Sequence, residues 1–276
     1  MNFWKLHGVG NDFIAIDGRF DNKDSNDYSD LAKKVCHRRF GIGADGLLVV
    51  KTSNVADVEM VYYNSDGSRA NMCGNGIRCF SKFVYDNKIV NDTEFSVYTL
   101  DGIKKISLNI ESEKDYTIRV NMGKPNFNPK NIPVNTNKEV FINEKLSIDN
   151  KEIEVSSILM GVPHTIVFVD ELIKEDIYKY GKLIEENEIF PKKTNVNFVK
   201  IEDEKNISVY TWERGCGYTL GCGTGMTASV ILSNYLNKVD KVVNVKSEGG
   251  IVKIEITDDV YMIGNAVKIC EGILEV

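Results

Sequence analysis

Two short stretches of the chain, NMCGNGIRC at residues 71–79 and LGCGTGMTA at residues 220–228, share one arrangement of cysteine and glycine. The motifs Cys73-Gly-Asn-Gly and Cys222-Gly-Thr-Gly lie 222 − 73 = 149 positions apart. At the same offset the flanking segments also correspond. The upstream segments are both β-rich: VEMVYYNSDG (58–67) and ISVYTWERGC (207–216). The downstream segments are both apolar with a helical pattern: IRCFSKFVYDNK (77–88) and MTASVILSNYLN (226–237). Two ordered blocks in register indicate an internal duplication.

The duplication predicts two halves, residues 1–121 and 122–266. Their boundary falls near NMGKPNFNPKNIP (121–133), which contains three of the five prolines. A weaker upstream echo aligns GVGNDFIAI (8–16) with GVPHTIVFV (161–169) at an offset of 153. Most of the remaining chain has the pattern of short strands with few helices. This pattern predicts an α+β fold in which each sheet curls around its own central helix.

The composition limits the classes of partner. The 276 residues are 42% hydrophobic and 27% charged, and the net charge of −6 comes without a long block of one sign, which argues against nucleic acid or a membrane surface as partner. No apolar run reaches the roughly 18 residues of a membrane span, and the N-terminal residues lack the pattern of a secretion signal. Six cysteines suit a reducing cytoplasm. Three histidines without a C-x-x-C motif argue against a structural zinc site.

A third glycine motif, GIGADG at residues 41–46, matches the G-x-G-x-x-G pattern of dinucleotide sites. That pattern requires a strand before it and a helix after it. Here a helical segment precedes the motif and the strand-like LLVV follows it. We therefore interpret residues 41–46 as a turn rather than as a nucleotide site.

The two cysteine motifs lie where a helix is expected to begin. The start of a helix offers unpaired backbone N–H groups and about half a unit of positive charge, which lowers the pKa of a thiol and binds carboxylates. Buried cysteines at tight turns are the alternative interpretation, but two copies in register favour reactive thiols. The other four cysteines lack this setting and are interpreted as packing residues: Cys36, Cys79, Cys216 and Cys270.

A duplicated chain can place two helix starts on opposite sides of one cleft between the halves. A carbon held there has a thiol on each face, so one cysteine can remove a proton as thiolate while the other returns a proton as thiol. The helix starts would stabilise the developing charge on a neighbouring carboxylate. This arrangement predicts an amino-acid racemase or epimerase that uses no cofactor and no metal.

Six segments in order along nearly the whole chain resemble the diaminopimelate epimerases: HGVGNDFIAID (7–17), GIGADGLL (41–48), YNSDGSRANMCGNGIRCF (63–80), MGVPH (160–164), TNVNFV (194–199) and ERGCGYTLGCGTG (213–225). The resemblance implies two pseudo-symmetric halves, each a β-barrel-like sheet wrapped around a helix. It also implies that residues 267–276 return to the first half. The implied reaction interconverts LL- and meso-2,6-diaminopimelate, a step of lysine biosynthesis.

The resemblance assigns roles to individual residues. Cys73 and Cys222 match the acid/base cysteines, and His164 matches a histidine that helps to set their protonation. The remaining matches contact the substrate at three places: the reacting carboxylate (Gly74, Asn75, Gly223 and Thr224), the reacting amine (Asn11 and Glu213, the latter also counted as catalytic) and the distal amino-acid end (Asn64, Asn195 and Arg214).

Two positions depart from the family pattern. Val162 stands where many relatives have an asparagine that contacts the distal end of the substrate, and Gly46 stands where many have glutamine. A racemase of the same fold that acts on another amino acid therefore stays an alternative. A binding protein with a redox-switchable disulfide is a further one, although it has no use for Glu213 and Arg214. The sequence leaves the oligomeric state open, a homodimer being one alternative.

Overall fold

The computed structural model describes residues 1–112 and 116–275. Contacts divide the chain into two compact units, residues 1–121 with 263–276 and residues 122–262. The contacts therefore assign residues 263–266 to the first unit, whereas the prediction placed them in the second half.

In the described residues, the first unit has two helices and a mixed sheet. Its helices are α1 (Ser25–Cys36) and α2 (Gly74–Asp86), and its strands are β1 (Asn2–Gly8), β2 (Asn11–Asp17), β3 (Gly46–Lys51), β4 (Val58–Asn64), β5 (Arg69–Ala70), β6 (Glu94–Thr99), β7 (Gly102–Ile110), β8 (Tyr116–Gly123) and β18 (Val267–Ile273). The ladders give the order β18-β1-β2-β3-β4-β6-β7-β8. Two pairs, β2–β3 and β4–β6, are parallel and the others are antiparallel.

The second unit repeats this plan. Its helices are α3 (Lys174–Glu185) and α4 (Gly223–Tyr235), and its strands are β9 (Glu144–Ile148), β10 (Lys151–Met160), β11 (Val162–Phe168), β12 (Asn195–Asp203), β13 (Asn206–Glu213), β14 (Gly217–Thr219), β15 (Val242–Ser247), β16 (Gly250–Ile256) and β17 (Val260–Gly264). The order β10-β11-β12-β13-β15-β16 has parallel pairs at β11–β12 and β13–β15, as in the first unit. The predicted α+β fold and the duplication are confirmed.

Each unit has one central helix and one helix on the other face of its sheet. Helix α2 packs against β1, β2 and β3, and α4 packs against β10 to β13, with ten residues of each helix buried. Alternation along β2 sends Ile14 and Ile16 to the core that contains Leu31 and Val35 of α1. Phe13, on the opposite face, lies beside the first turn of α2. The sheet therefore fixes where each cysteine-bearing helix begins.

Some local features could be read from the sequence and others could not. Residues 41–46 form a turn with Gly43 at φ +79° that leads into β3, as interpreted. Helix α1 begins at Ser25 because Asp24 and Asp27 form a capping box there. None of the helices in the described part of the chain has both the length and the apolar sequence that a membrane crossing requires.

Candidate active site

Cys73 is the N-cap of α2, where the strand-like backbone turns into the helix. Its carbonyl accepts from the N–H of Ile77 at 2.8 Å, and its Sγ accepts from the N–H of Gly76 at 3.4 Å. A Cβ at position 76 would lie 3.3 Å from the Cβ of Cys73 and 3.4 Å from the ring of Phe13, so glycine keeps this corner tight. The N–H of Gly76, in the first turn of α2, is therefore beside the sulfur, as an anion site requires.

Asn11 contacts the thiol of Cys73 through its side-chain amide. The Cys73 thiol donates to Asn11 Oδ1 at 3.5 Å, and Asn11 Nδ2 donates to Asp45 Oδ2 at 2.5 Å. Asn11 begins β2 directly after a two-residue turn in which Val9 has φ +47° and Gly10 φ +81°. This left-handed conformation is costly for a β-branched residue. The left-handed conformation lies in the turn between β1 and β2 that places Asn11 beside the Cys73 sulfur.

Asn75 follows Cys73 and is 1% exposed. Its Oδ1 accepts from Nη2 of Arg78 at 3.0 Å, while Nη1 of the same guanidinium donates to the carbonyl of Gly74 at 3.1 Å. Nε of Arg78 donates to the carbonyl of Asn265 at 3.3 Å. Burial lowers the pKa of Arg78. This arginine, which the sequence reasoning missed, ties the cysteine loop to the C-terminal segment of its own unit.

Cys222 is the N-cap of α4 and is 8% exposed. Its carbonyl accepts from the N–H of Met226 at 2.8 Å, which starts the helix as in α2. Its Sγ lies 3.4 Å from Oγ1 of Thr224, a hydroxyl that can donate to a thiolate or accept from a thiol. A hydroxyl thus stands beside this sulfur, whereas an amide stands beside that of Cys73.

His164, on β11, is fully buried and neutral. Nδ2 of Asn197 donates to the carbonyl of Thr165 at 3.4 Å and Oδ1 of Asn197 accepts from Thr211 at 3.1 Å, so the amide nitrogen must be the group 3.2 Å from His164 Nδ1. Nδ1 therefore accepts, and the proton is on Nε2. Burial, with a smaller effect from the positive charge of Arg214, lowers the pKa of His164 to about 3. Among the residues the structure describes, no partner meets the buried Nε2.

Gly225 links the histidine to the second cysteine. A Cβ at this position would collide with Oδ1 of Asn197 and would lie 3.2 Å from the Cβ of Cys222. The amide that fixes the tautomer of His164 therefore packs directly on the first turn of α4. Beyond its place in TNVNFV, nothing in the sequence pointed to Asn197.

Asn195 and Arg214 meet through the backbone of the Arg214 loop. Asn195, 5% exposed, accepts from the N–H of Arg214 at 2.9 Å through Oδ1 and donates to the carbonyl of Pro163 at 2.8 Å through Nδ2. The guanidinium of Arg214 is exposed and donates to the carbonyl of Lys192 at 3.0 Å. Asn195 thus braces the loop, and the arginine head is accessible to an anionic ligand.

Asn64 and Glu213 occupy equivalent ends of β4 and β13, again 149 positions apart. Asn64 Nδ2 donates to Ser68 Oγ at 3.0 Å, and Glu213 Oε1 accepts from Thr219 Oγ1 at 2.7 Å. Asn64 is thereby held by the turn that follows β4, and Glu213 by the last residue of β14.

Glu185 is a further residue that the sequence reasoning missed. It ends α3, is 4% exposed, and accepts from Trp212 Nε1 at 2.7 Å and from the N–H of Gly215 at 3.0 Å. Nζ of Lys193 lies 3.6 Å away. A carboxylate is almost never buried without such partners, so Glu185 serves as the anchor of the Arg214 loop.

The ladders correct the upstream echo seen in the sequence. In the first unit Phe13 lies opposite Gly46, and in the second His164 lies opposite Asn195. Gly46 and Asn195 are separated by the same 149 positions as the two cysteines, so His164 is the counterpart of Phe13. The offset of 153 taken from the echo is wrong by two residues.

With this register, Val162 is the counterpart of Asn11. It begins β11 half-buried, and it offers no polar side-chain atom. At the other departing position, a Cβ on Gly46 would lie 2.5 Å from the ring of Tyr62 and 2.7 Å from the carbonyl oxygen of Tyr63. The packing of this chain therefore requires glycine there.

Comparison with known proteins gives a consistent result. A family model described as diaminopimelate epimerase matches residues 3–128 and 156–269. Diaminopimelate epimerase of Alkaliphilus metalliredigens is 50% identical over 275 residues, covering 99% of this chain and 97% of the relative. That of Clostridium perfringens is 52% identical over 273 residues, covering 99% and 98%. Among solved structures, a probable proline racemase from Agrobacterium radiobacter superposes with a TM-score of 0.76 at 13% identity, covering 100% of this chain and 93% of that one, which shows a shared fold.

Proposed function

Because the chain belongs to the diaminopimelate epimerase family, we propose that it interconverts LL- and meso-2,6-diaminopimelate by a two-cysteine mechanism. The observation that carries this proposal is the placement of Cys73 and Cys222 as N-caps of equivalent helices in two duplicated units. A duplication that preserves a thiol at each helix start is explained by a reaction that needs two of them.

In the proposed reaction the thiolate of one cysteine removes the proton from the α-carbon. The electron pair left behind is stabilised by the adjacent carboxylate, which the first-turn N–H groups of α2 and α4 bind. The thiol of the other cysteine then delivers its proton to the opposite face. One C–H bond breaks and one forms, no electrons are lost, and the two cysteines finish with exchanged protonation. The proposal assigns no step to a cofactor.

The remaining residues take supporting roles. His164 stays neutral at physiological pH, so it acts as an Nε2–H donor rather than as a base. Arg214, exposed on a braced loop, can pair the distal carboxylate by two parallel hydrogen bonds. The proposal also places the enzyme in the cytoplasm, where both cysteines stay reduced.

A second candidate is a racemase for an amino acid without a distal carboxylate, and the half-buried, apolar Val162 favours it. A substrate panel in D2O separates the two: LL- and meso-diaminopimelate beside monocarboxylic amino acids, with deuterium at the α-carbon measured by NMR. We expect exchange with both diaminopimelates and none with the others. Exchange confined to monocarboxylic substrates would favour the second candidate.

The same assay tests the mechanism. Cys73→Ala and Cys222→Ala should each lose epimerisation by at least about a hundredfold, the contribution of a positioned acid or base. Cys270→Ala, at an exposed cysteine on β18, is the matched control and should keep wild-type activity. Full activity in either of the first two variants would rule out the two-cysteine mechanism.

A further inference from the structure

The orientation of the Asn11 side-chain amide is determined by its neighbours. An ionised carboxylate only accepts hydrogen bonds, so the group of Asn11 that faces Asp45 must be the NH2. The contact joins Asn11 Nδ2 and Asp45 Oδ2 at 2.5 Å. The amide oxygen must then face Cys73, where it lies 3.5 Å from Sγ. An oxygen in that place can accept a hydrogen bond but cannot donate one.

Asp45 is itself held in place by two further donors. Nη2 of Arg38 donates to its Oδ1 at 2.6 Å, and the N–H of Asp12 donates to its Oδ2 at 3.2 Å. Its own N–H donates to the carbonyl of Asp12 at 2.9 Å. Asp45 lies in the GIGADG turn, so this turn has a role beyond connecting α1 to β3. The position of the Asp45 carboxylate is therefore fixed, and Asn11 Nδ2 bonds to its Oδ2.

We propose that Asp45 is a positioning residue for Cys73, because it locks the Asn11 amide with its oxygen towards the sulfur. This inference rests on the proposed function. When Cys73 is the acid, Asn11 Oδ1 accepts from its thiol; when Cys73 is the base, the oxygen can accept from the ammonium group of the substrate. A flipped amide would donate to the thiolate instead and would retain Cys73 in its base form.

The second unit does not repeat this amide at the equivalent position. The counterpart of Asn11 in the second unit is Val162, which can neither donate nor accept. Cys222 instead has the Thr224 hydroxyl, which can rotate to donate or accept. The duplicated halves have thus diverged so that the thiol form is favoured at Cys73 by a fixed acceptor.

The test replaces Asp45 with asparagine. Arg38 also pairs with Asp12, but its guanidinium is the cationic donor to Asp45, so the new side-chain oxygen should stay towards Arg38 and leave the new NH2 facing Asn11. Two NH2 groups cannot pair, so the Asn11 amide should flip and donate to Cys73. The alkylation rate of Cys73 by iodoacetamide, followed against pH by mass spectrometry of its peptide, should then have its midpoint about one pH unit lower. The same variant should show a kcat about tenfold lower with KM changed less than twofold.

Other charged and titratable groups around Cys73 stay unchanged in this variant. Arg78 and Cys79 lie on the helix that Cys73 caps, and Asp12 lies beside Asp45 together with its partners Lys5 and Arg38. The matched control is Asp17→Asn, since Asp17 also lies on β2 and pairs with an arginine, Arg19, at 2.8 Å. This control should leave the alkylation profile of Cys73 unchanged.

A double-mutant cycle separates positioning from a direct charge effect. Asn11→Ala alone removes the acceptor and should itself lower the alkylation midpoint of Cys73. In that background Asp45→Asn should add no further shift. An equal shift in both backgrounds would mean that the Asp45 charge acts directly, and no shift in either single variant would also overturn the proposal.

The design remains informative if one part fails. The Asp45 side chain is 41% exposed, so the Asp45→Asn variant should fold. The Asn11→Ala variant tests the acceptor without changing Asp45. Alkylation needs no substrate, so it reports on this inference even if diaminopimelate is not turned over. Normal epimerisation with an unchanged alkylation profile in Asp45→Asn would overturn this inference alone.

Discussion

Replacement of Glu185 by glutamine should lower the stability of the second unit and weaken substrate binding. The carboxylate uses one oxygen for Trp212 Nε1 and the other for the N–H of Gly215. Glutamine has a single oxygen, so one of these buried donors would face an NH2 group. One charge-assisted bond is lost and one buried donor is left unsatisfied, which together should lower the free energy of unfolding by about 3 kcal/mol. Because the loop carries Arg214, KM for diaminopimelate should rise more than kcat falls.

The measurement is urea unfolding followed by the fluorescence of Trp212. A Trp4→Phe background removes the other tryptophan of the chain, which belongs to the first unit. The matched control is Glu186→Gln, whose side chain is 47% exposed and lies 3.4 Å from Lys193. A surface pair of this kind contributes less than about 1 kcal/mol. Equal losses in the two variants, or no loss at Glu185, would refute the anchoring role.

Three further predictions concern the second unit. The pKa of His164 is about 3 in the folded protein against 6.5 in the unfolded chain, so its contribution to the free energy of unfolding is present above pH 6.5 and is lost as the pH falls towards 3. In urea titrations between pH 7 and 5, the free energy of unfolding of the wild type should fall by about 2 kcal/mol more than that of His164→Gln. Val162→Asn should be tolerated or should slightly raise kcat/KM for diaminopimelate; if the true substrate lacks a distal carboxylate, the unpaired amide should instead impair turnover of that substrate. Gly225→Ala should displace Asn197 and lower activity at least about tenfold, whereas Gly76→Ala, with milder contacts, should cost less when both are assayed for epimerisation and thermal stability.

The cysteine motifs predicted the helix starts because the signal is local: a strand, a glycine turn and an apolar helix follow one another along the chain. The alignment of β2 in the first unit with its equivalent strand β11 in the second could not be predicted in the same way. Gly8 pairs with Asn11 around the two-residue turn Val9–Gly10, whereas Met160 pairs with Val162 around the single residue Gly161. A difference in turn length shifts every later partner, and sequence similarity alone does not reveal it.

Three of the residues that the sequence reasoning missed share one property. Asp45, Asn197 and Glu185 act through partners that are 27 to 34 positions away in the chain. Their side chains are of common polar types, and nothing in their immediate neighbours marks them. Only the folded sheet brings each one to the group it orients. The positions that the resemblance assigns to substrate contact could be carried over from relatives, whereas the residues that support them could be identified only in the fold.

The pairing of β18 with β1 has a consequence for how the protein is made. Asn2 lies opposite Ile273, and the first unit draws on both ends of the sequence, whereas residues 122–262 form the second unit without interruption. A ribosome therefore delivers the whole second unit while the first still lacks a strand, and with it the carbonyl of Asn265 that holds Arg78 behind the Cys73 loop. During synthesis the second unit can therefore fold first, and the first unit can complete its sheet only after residue 273 has emerged.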